Sequence, residues 1–250
     1  MNMRRVLTAS AFIVVLASAD SSEAQGRPWS ERIWIGAGGG VQLAGTAFDD
    51  TFEVPLYAET ETVDVDYPMK NGAVIDARAG YRLWKGFTVG AGVTHYSQRA
   101  DARVEARLPH PFFDNQFRII EGTTSALRGE TTVHLLLGWM LPLSDRLRVM
   151  LTGGPSIVTI EQTLVTDVEY SETYPYDTAE FTGASTRRAS RSATGFNAGA
   201  DVTWMFSRQV GAGGLVQFSR ARANVSPGEG RSIAVDAGGV QFAGGLRLFF

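Results

Sequence analysis

The sequence predicts an all-β fold, an antiparallel up-and-down transmembrane β-barrel of about eight strands with projecting extracellular hairpins. Three observations predict it. Apolar and polar residues alternate with a period of two over long stretches. The connections between those stretches alternate between short and long. An export signal opens the chain, and no later run approaches the roughly 20 apolar residues of a membrane helix.

The signal reads from Arg4 and Arg5 through the apolar run Val6 to Leu16 and on to small residues. Cleavage is expected after Ala19 or Ala24, giving a signal peptide over 1–24 and a single barrel domain over 25–250. Lys and Arg total 23 against 26 Asp and Glu, and no basic stripe interrupts the balance, so nucleic-acid binding is excluded. The absence of cysteine excludes disulfides and a cysteine-linked lipid anchor.

The strands follow in order, near 32–47, 60–83, 87–107, 118–141, 146–165, 186–206, 209–224 and 231–250. In "GAVIDARAGYRLW" Ala73, Ile75, Ala77, Ala79, Tyr81 and Leu83 share one face, against Asp76, Arg78, Gly80 and Arg82. "GFTVGAGVT" sets Phe87, Val89, Ala91 and Val93 against Thr88, Gly90, Gly92 and Thr94. "TTVHLLLGWML" sets Val133, Leu135, Leu137, Trp139 and Leu141 against Thr132, His134, Leu136, Gly138 and Met140. "GFNAGADVTWMF" sets Phe196, Val202, Trp204 and Phe206 against Asn197, Asp201 and Thr203. Each run is long enough to cross a tilted barrel wall of about 9–11 residues.

Short connections, "WKG", "PLSDR" and "SRQ", alternate with long polar ones at 48–59, 108–117 and 166–185, and with a tighter "SPGEG" at 226–230. Short periplasmic turns and longer outer loops are the asymmetry of an outer-membrane barrel. Trp84, Trp139 and Trp204 each precede a short turn, where an interfacial girdle belongs.

The chain ends "GGVQFAGGLRLFF", with Val240, Phe242, Leu246, Leu248 and Phe250 on one face. A spanning strand must pair its backbone, so this strand is expected to close on "RIWIGAGGGVQLA". An alternating final strand ending in Phe resembles the terminal signal of bacterial outer-membrane barrels, and the mature chain resembles the small eight-stranded barrels of the OmpA/OmpX/OmpW type. The resemblance implies that Phe250, Leu248 and Leu246 are read by the outer-membrane assembly machinery. It also implies a protein of the bacterial outer membrane, monomeric, in contact with its lipid and lipopolysaccharide. It transfers no catalytic or binding motif.

Motifs for chemistry are sparse. "GAGGGVQLAG" fails the spacing of a dinucleotide loop, because Val41 or Leu43 stands at the last glycine position and no helical pattern follows. Glycines that thin the inside of a narrow barrel explain it. His95 and Ser97 lie on one face of a strand and resemble the H-x-S pair of outer-membrane lipid A deacylases. A base needs an orienting acid, and Glu130 has the opposite parity while Asp101 lies farther along. His95, His110 and His134 are scattered without ligand-spaced carboxylates, so no metal and no cofactor is expected.

Asp76, Arg78, Arg82, Glu130, His134, Arg148, Asp201 and Arg247 have inward parity. Their mixed signs suit a network that plugs the lumen, with a narrow channel as the alternative. Two hairpin tips carry aromatics: His110, Phe112 and Phe113 in "PHPFFDNQF", and Tyr174 and Tyr176 in "YSETYPYDTAEF". They mark a candidate surface for an unknown ligand or a cap on the barrel. The expected function is therefore a non-enzymatic, structural or surface-interacting barrel. A narrow pore for small solutes comes second, and a lipid hydrolase using His95 and Ser97 third.

Overall fold

The computed structural model describes residues 31–43, 45–226, 228 and 231–250; the expected signal lies outside them. The strands are β1 Ile33–Gln42, β2 Phe48–Leu56, β3 Glu59–Tyr67, β4 Gly72–Trp84, β5 Phe87–Pro109, β6 Phe117–Pro142, β7 Leu147–Glu172, β8 Ala179–Met205, β9 Val210–Val225 and β10 Ile233–Phe249. Eight of them, β1 and β4 through β10, close an antiparallel ring. Closure is made by the last strand on the first, with Trp34 opposite Phe249 and Val41 opposite Phe242. The seam tolerates no side chain at its narrowest point: a Cβ on Gly40 or Gly245 would run into the carbonyl oxygens of Phe242 and Ala37.

Three expectations about the outer segments are corrected. Residues 48–59 are not a loop, because β2 and β3 form a hairpin with Phe48 opposite Tyr67 and Leu56 opposite Glu59. Nor is 60–83 a single strand. It breaks at residues 68–71, so that β3 pairs with the upper part of β5, Asp66 opposite Arg103, while β4 pairs with the lower part, Ala73 opposite Ser97. Pro55 is compatible with β2 because that strand is an edge, where a missing N–H costs no ladder bond. The long connection expected at 166–185 shrinks to 173–178, since β7 and β8 continue to Glu172 and from Ala179.

The short turns match expectation. At Lys85–Gly86 both residues adopt positive φ, 46° and 91°, as a tight hairpin between right-twisted strands requires. β5, β6, β7 and β8 are 23, 26, 26 and 27 residues long. Crossing the bilayer takes about 10, so more than half of each strand stands outside it.

The parity read from the sequence holds. Val133, Leu135, Leu137, Trp139 and Leu141 face out along β6, and Thr132, His134, Leu136 and Met140 are buried in the lumen. Trp84, Trp139 and Trp204 are all exposed at the short-turn end. The lumen there is closed by an apolar layer of Trp34, Leu136, Met140, Met150, Met205 and Phe249. Above the membrane segment the interior turns apolar again, with Val63, Val65, Val104, Leu108, Ile120, Leu164 and Val235 in one core.

Candidate functional site

Three places stand out by residue type, and the structure gives each a geometry. The first is the lumen. Asp76, Arg78, Glu130, His134, Arg148, Asp201 and Arg247 are all buried, and Arg82 is half-buried near the short-turn end. Arg78 grips Asp76 with two parallel bonds, Nε to Oδ1 at 2.8 Å and Nη2 to Oδ2 at 2.7 Å, and donates from Nη2 to Gln217 Oε1 at 2.7 Å. Gln217 Nε2 lies 3.2 Å from His134 Nε2, whose ring also meets Thr94 Oγ1 at 3.1 Å and, through Nδ1, Ser156 Oγ at 2.8 Å. Asn197 Nδ2 donates to the same Ser156 oxygen at 2.9 Å. One chain of bonds therefore links β4, β9, β6, β7 and β8 across the barrel.

A lower pair joins Arg247 Nε to Asp201 Oδ2 at 2.8 Å, with Thr203 Oγ1 donating to the other carboxylate oxygen at 2.8 Å. Arg148 lies over the ring of Phe249, 4.4 Å from its centroid. An upper pair joins Arg128 Nε to Glu130 Oε1 at 2.7 Å, and the N–H of Gly238 donates to Glu130 Oε2 at 2.8 Å. In these lower and upper pairs each carboxylate is thus matched to a guanidinium and to a second donor, the condition under which charges survive burial. Arg128 was missed in the sequence. Its inward parity was legible, but it sits where the outward row changes from apolar to polar.

The second place is the outer face at His95 and Ser97. Both point away from the lumen, and Glu130 points into it. His95 Nδ1 lies 3.0 Å from Thr131 Oγ1, directly across the β5–β6 ladder. Ser97 stands opposite Ala73 on one side and Gly129 on the other. The carboxylate of Glu130 is engaged by Arg128 and Gly238 on the opposite side of the sheet.

The third place is the outer apex, where three hairpin tips meet. His110 is buried; its Nδ1 accepts from the N–H of Phe112 at 3.1 Å, and its ring lies 4.8 Å from that of Phe113. Phe112 reaches Tyr176 of the neighbouring tip at 5.6 Å, and Tyr176 meets Tyr174 edge-on at 6.0 Å. The tips are tied by polar bonds that sequence reasoning did not find. Arg118 pairs with Glu172 and donates to the carbonyls of Pro109 at 2.9 Å and Tyr176 at 3.2 Å. Tyr57 donates to Glu172 at 3.0 Å, and the N–H of Asn115 donates to Glu59 at 2.8 Å. The aromatic residues divide accordingly. Tyr176 is half-buried, while Phe112, Phe113 and Tyr174 remain 67%, 54% and 78% exposed.

An apolar belt facing out, a polar lumen and a closed antiparallel ring give this chain the architecture of a small eight-stranded transmembrane β-barrel. No protein-family model matches the chain, and no curated protein matches it. Among solved structures it is similar to the outer membrane protein OprG from Pseudomonas aeruginosa, at 11% identity and a TM-score of 0.49, over 88% of this chain and 96% of that one. Neisserial surface protein A follows at 9% identity and 0.43, over 87% and 97%. The outer membrane protease OmpT from Escherichia coli is similar at 10% identity and 0.41, over 88% and 97%.

Proposed function

We propose that this barrel is a non-enzymatic, surface-interacting protein whose lumen is plugged and whose working part is the apex. The observation that carries the reading is the apex itself. Three separate hairpins are braced together by Arg118, Glu172, Tyr57 and Glu59, and still leave Phe112, Phe113 and Tyr174 open to solvent. A cap that existed only to close the barrel would bury its largest rings. Pre-braced aromatics lose little conformational freedom when a partner covers them. The segments that form the tips are also acidic, carrying Glu59, Asp114, Asp177 and Glu180, so an apolar partner bearing positive charge fits the apex best.

The pore reading is disfavoured by the stacked apolar and polar layers in the lumen, and the hydrolase reading by the bond from His95 to Thr131 rather than to an acid. The test begins with topology. Asn115→Cys is expected to react with a membrane-impermeant maleimide on intact cells, and Ser144→Cys is not. Phe112→Ala with Phe113→Ala is then expected to reduce binding of cells to host or abiotic surfaces at least severalfold without altering the heat-modifiable folded band. Unchanged binding, when the Asn115→Cys variant shows the tip to be accessible, refutes the apex reading. Steady channels from the purified protein in planar bilayers refute the plug.

A further inference from the structure

The wall between β8 and β9 is incomplete. Their ladder runs from Met205 opposite Gly211 up to Gly195 opposite Ala221 and stops there, although β8 continues through sixteen further residues, 179–194, and β9 to Val225. The split opens at one chemically defined level. Phe196 and Phe218 are the last apolar residues of the outward rows, exposed and packed on each other at 5.8 Å. Immediately above them the outward residues are Thr194 and Ser192 on β8 and Arg220 and Arg222 on β9, and all four are exposed. The boundary between acyl chains and headgroups is therefore fixed at the foot of the split.

The charges at this boundary do not balance. Arg220 Nη2 lies 3.4 Å from Asp236 Oδ2 and Arg222 Nε lies 3.0 Å from Asp236 Oδ1, so two guanidiniums share one carboxylate. Arg191, opposite Ile160 on β8, has the inward parity of its buried neighbour, yet the missing wall leaves it exposed. It has no ion-pair partner among the described residues. Two guanidiniums and one carboxylate thus stand on the outer face beside the gap in the wall, above an aromatic pair that faces lipid, and Arg191 lies exposed on the β8 edge of the same gap. Guanidiniums present paired donors that match phosphate oxygens, and basic side chains at a membrane surface attract anionic headgroups.

We propose that the split between β8 and β9 binds the phosphate of an outer-leaflet glycolipid. Arg220, Arg222 and Arg191 hold the phosphate, the hydroxyls of Thr194 and Ser192 face its sugar, and Phe196 and Phe218 carry its acyl chains. Asp236 holds the two arginines of β9 in place when the site is empty and competes with the phosphate for them.

The full-length mature protein in phosphatidylcholine nanodiscs provides the test, with its thermal unfolding midpoint and native mass spectrum as readouts. Diphosphoryl lipid A is expected to raise the midpoint and to appear as a bound adduct, with an effect that shrinks as salt rises. The dephosphorylated glycolipid is not. Arg220→Gln with Arg222→Gln is expected to weaken adduct formation at least tenfold. Asp236→Asn breaks the same two ion pairs but is expected to keep or tighten binding, which a merely structural cluster would not do. If the double variant fails to fold, Arg191→Gln, which breaks no ion pair, is expected to weaken binding severalfold. Equal binding by the arginine variants, or loss in Asp236→Asn, overturns the proposal. A midpoint rise with inorganic phosphate alone marks a soluble-anion site and overturns the lipid assignment.

Discussion

Along β5 the odd-numbered residues face outward from Phe87 to Arg107 without a change of register, yet the chemistry of the two faces is exchanged half-way. In the lower half the outward residues are Phe87, Val89, Ala91 and Val93, and the inward ones include Thr88 and Thr94. In the upper half the outward residues are Arg99, Asp101, Arg103, Glu105 and Arg107, and the inward ones are Ala102, Val104, Ala106 and Leu108. The strand is the same; its solvent differs. Below, lipid surrounds the wall and the polar groups satisfy one another inside. Above, water surrounds the wall and apolar side chains fill the inside, as in a soluble sheet packed on a core. The membrane half and the head are thus held by opposite means, and substitutions at matched positions separate them.

The largest contrast is expected from ion pairs. Arg247→Ala leaves Asp201 buried with only Thr203, and removing one partner of a buried pair costs about 3–5 kcal/mol. Arg188→Ala removes a partner of Glu161, 3.7 Å away, but both side chains are exposed in the head, and such a pair is worth at most about 1 kcal/mol. Urea unfolding in detergent micelles measures both. Equal losses would mean that the lumen is wetter than its burial implies.

The next contrast reverses the sites. Leu108 is fully buried in the head core, so Leu108→Ala is expected to cost about 2–5 kcal/mol. Leu135 faces lipid on β6, and Leu135→Ala there exchanges one apolar surface for another, so less than about 1 kcal/mol is expected, whereas Leu135→Arg costs roughly 2–4 kcal/mol near the mid-plane. Protease resistance of the head, followed separately from the gel shift of the folded barrel, distinguishes loss of the upper core from loss of the wall.

Most of the wall was legible because a period-two pattern gives parity, and parity gives the facing of every residue once the surroundings are known. The inward charges followed from parity alone, and the closing pair of β1 and β10 followed from the need of a spanning strand to pair its backbone. The head was less legible for a physical reason. Its strands carry apolar residues on the opposite face from the membrane segment, so the alternation persists while its meaning inverts. Phe52 and Val54 show the pattern, but Glu53 and Pro55 read as loop when the outer face is assumed to be lipid, while Val63, Val65 and Tyr67 read as one continuous strand with 72–83. The bracing of the apex was not legible at all, because Arg118–Glu172 and Tyr57–Glu172 join residues 54 and 115 positions apart through packing of hairpins. The split at Gly195 and Ala221 was equally hidden, since both sequences continue as strands beyond it.

The smallest of the expected effects lies in the head and depends on pH. Glu61 on β3 is buried, and its Oε1 has no hydrogen-bond partner among the described residues. Burial lifts its carboxyl from the ordinary 4.5 to about 7, and the negative charge of Asp167 adds to the rise. A carboxyl whose folded pKa lies above its unfolded value binds its proton more tightly in the folded state. The head is therefore most stable below about pH 4.5 with respect to this group, and the advantage is lost as pH rises from there to about 7. Above that range a buried charge opposes folding, by an amount on the order of 1–3 kcal/mol. Glu61→Gln keeps the shape and abolishes the titration. It is expected to stabilise the head at pH 8 and to leave it nearly unchanged at pH 5. The membrane half, where each paired carboxylate meets a guanidinium, should show no matching gain when Asp201 is replaced by Asn, but a loss at both pH values. Head protease resistance of Glu61→Gln and wild type across pH 5–8 measures the difference. Parallel curves for the two proteins would show that Glu61 stays charged in the fold and that the upper core admits water where it packs as if dry.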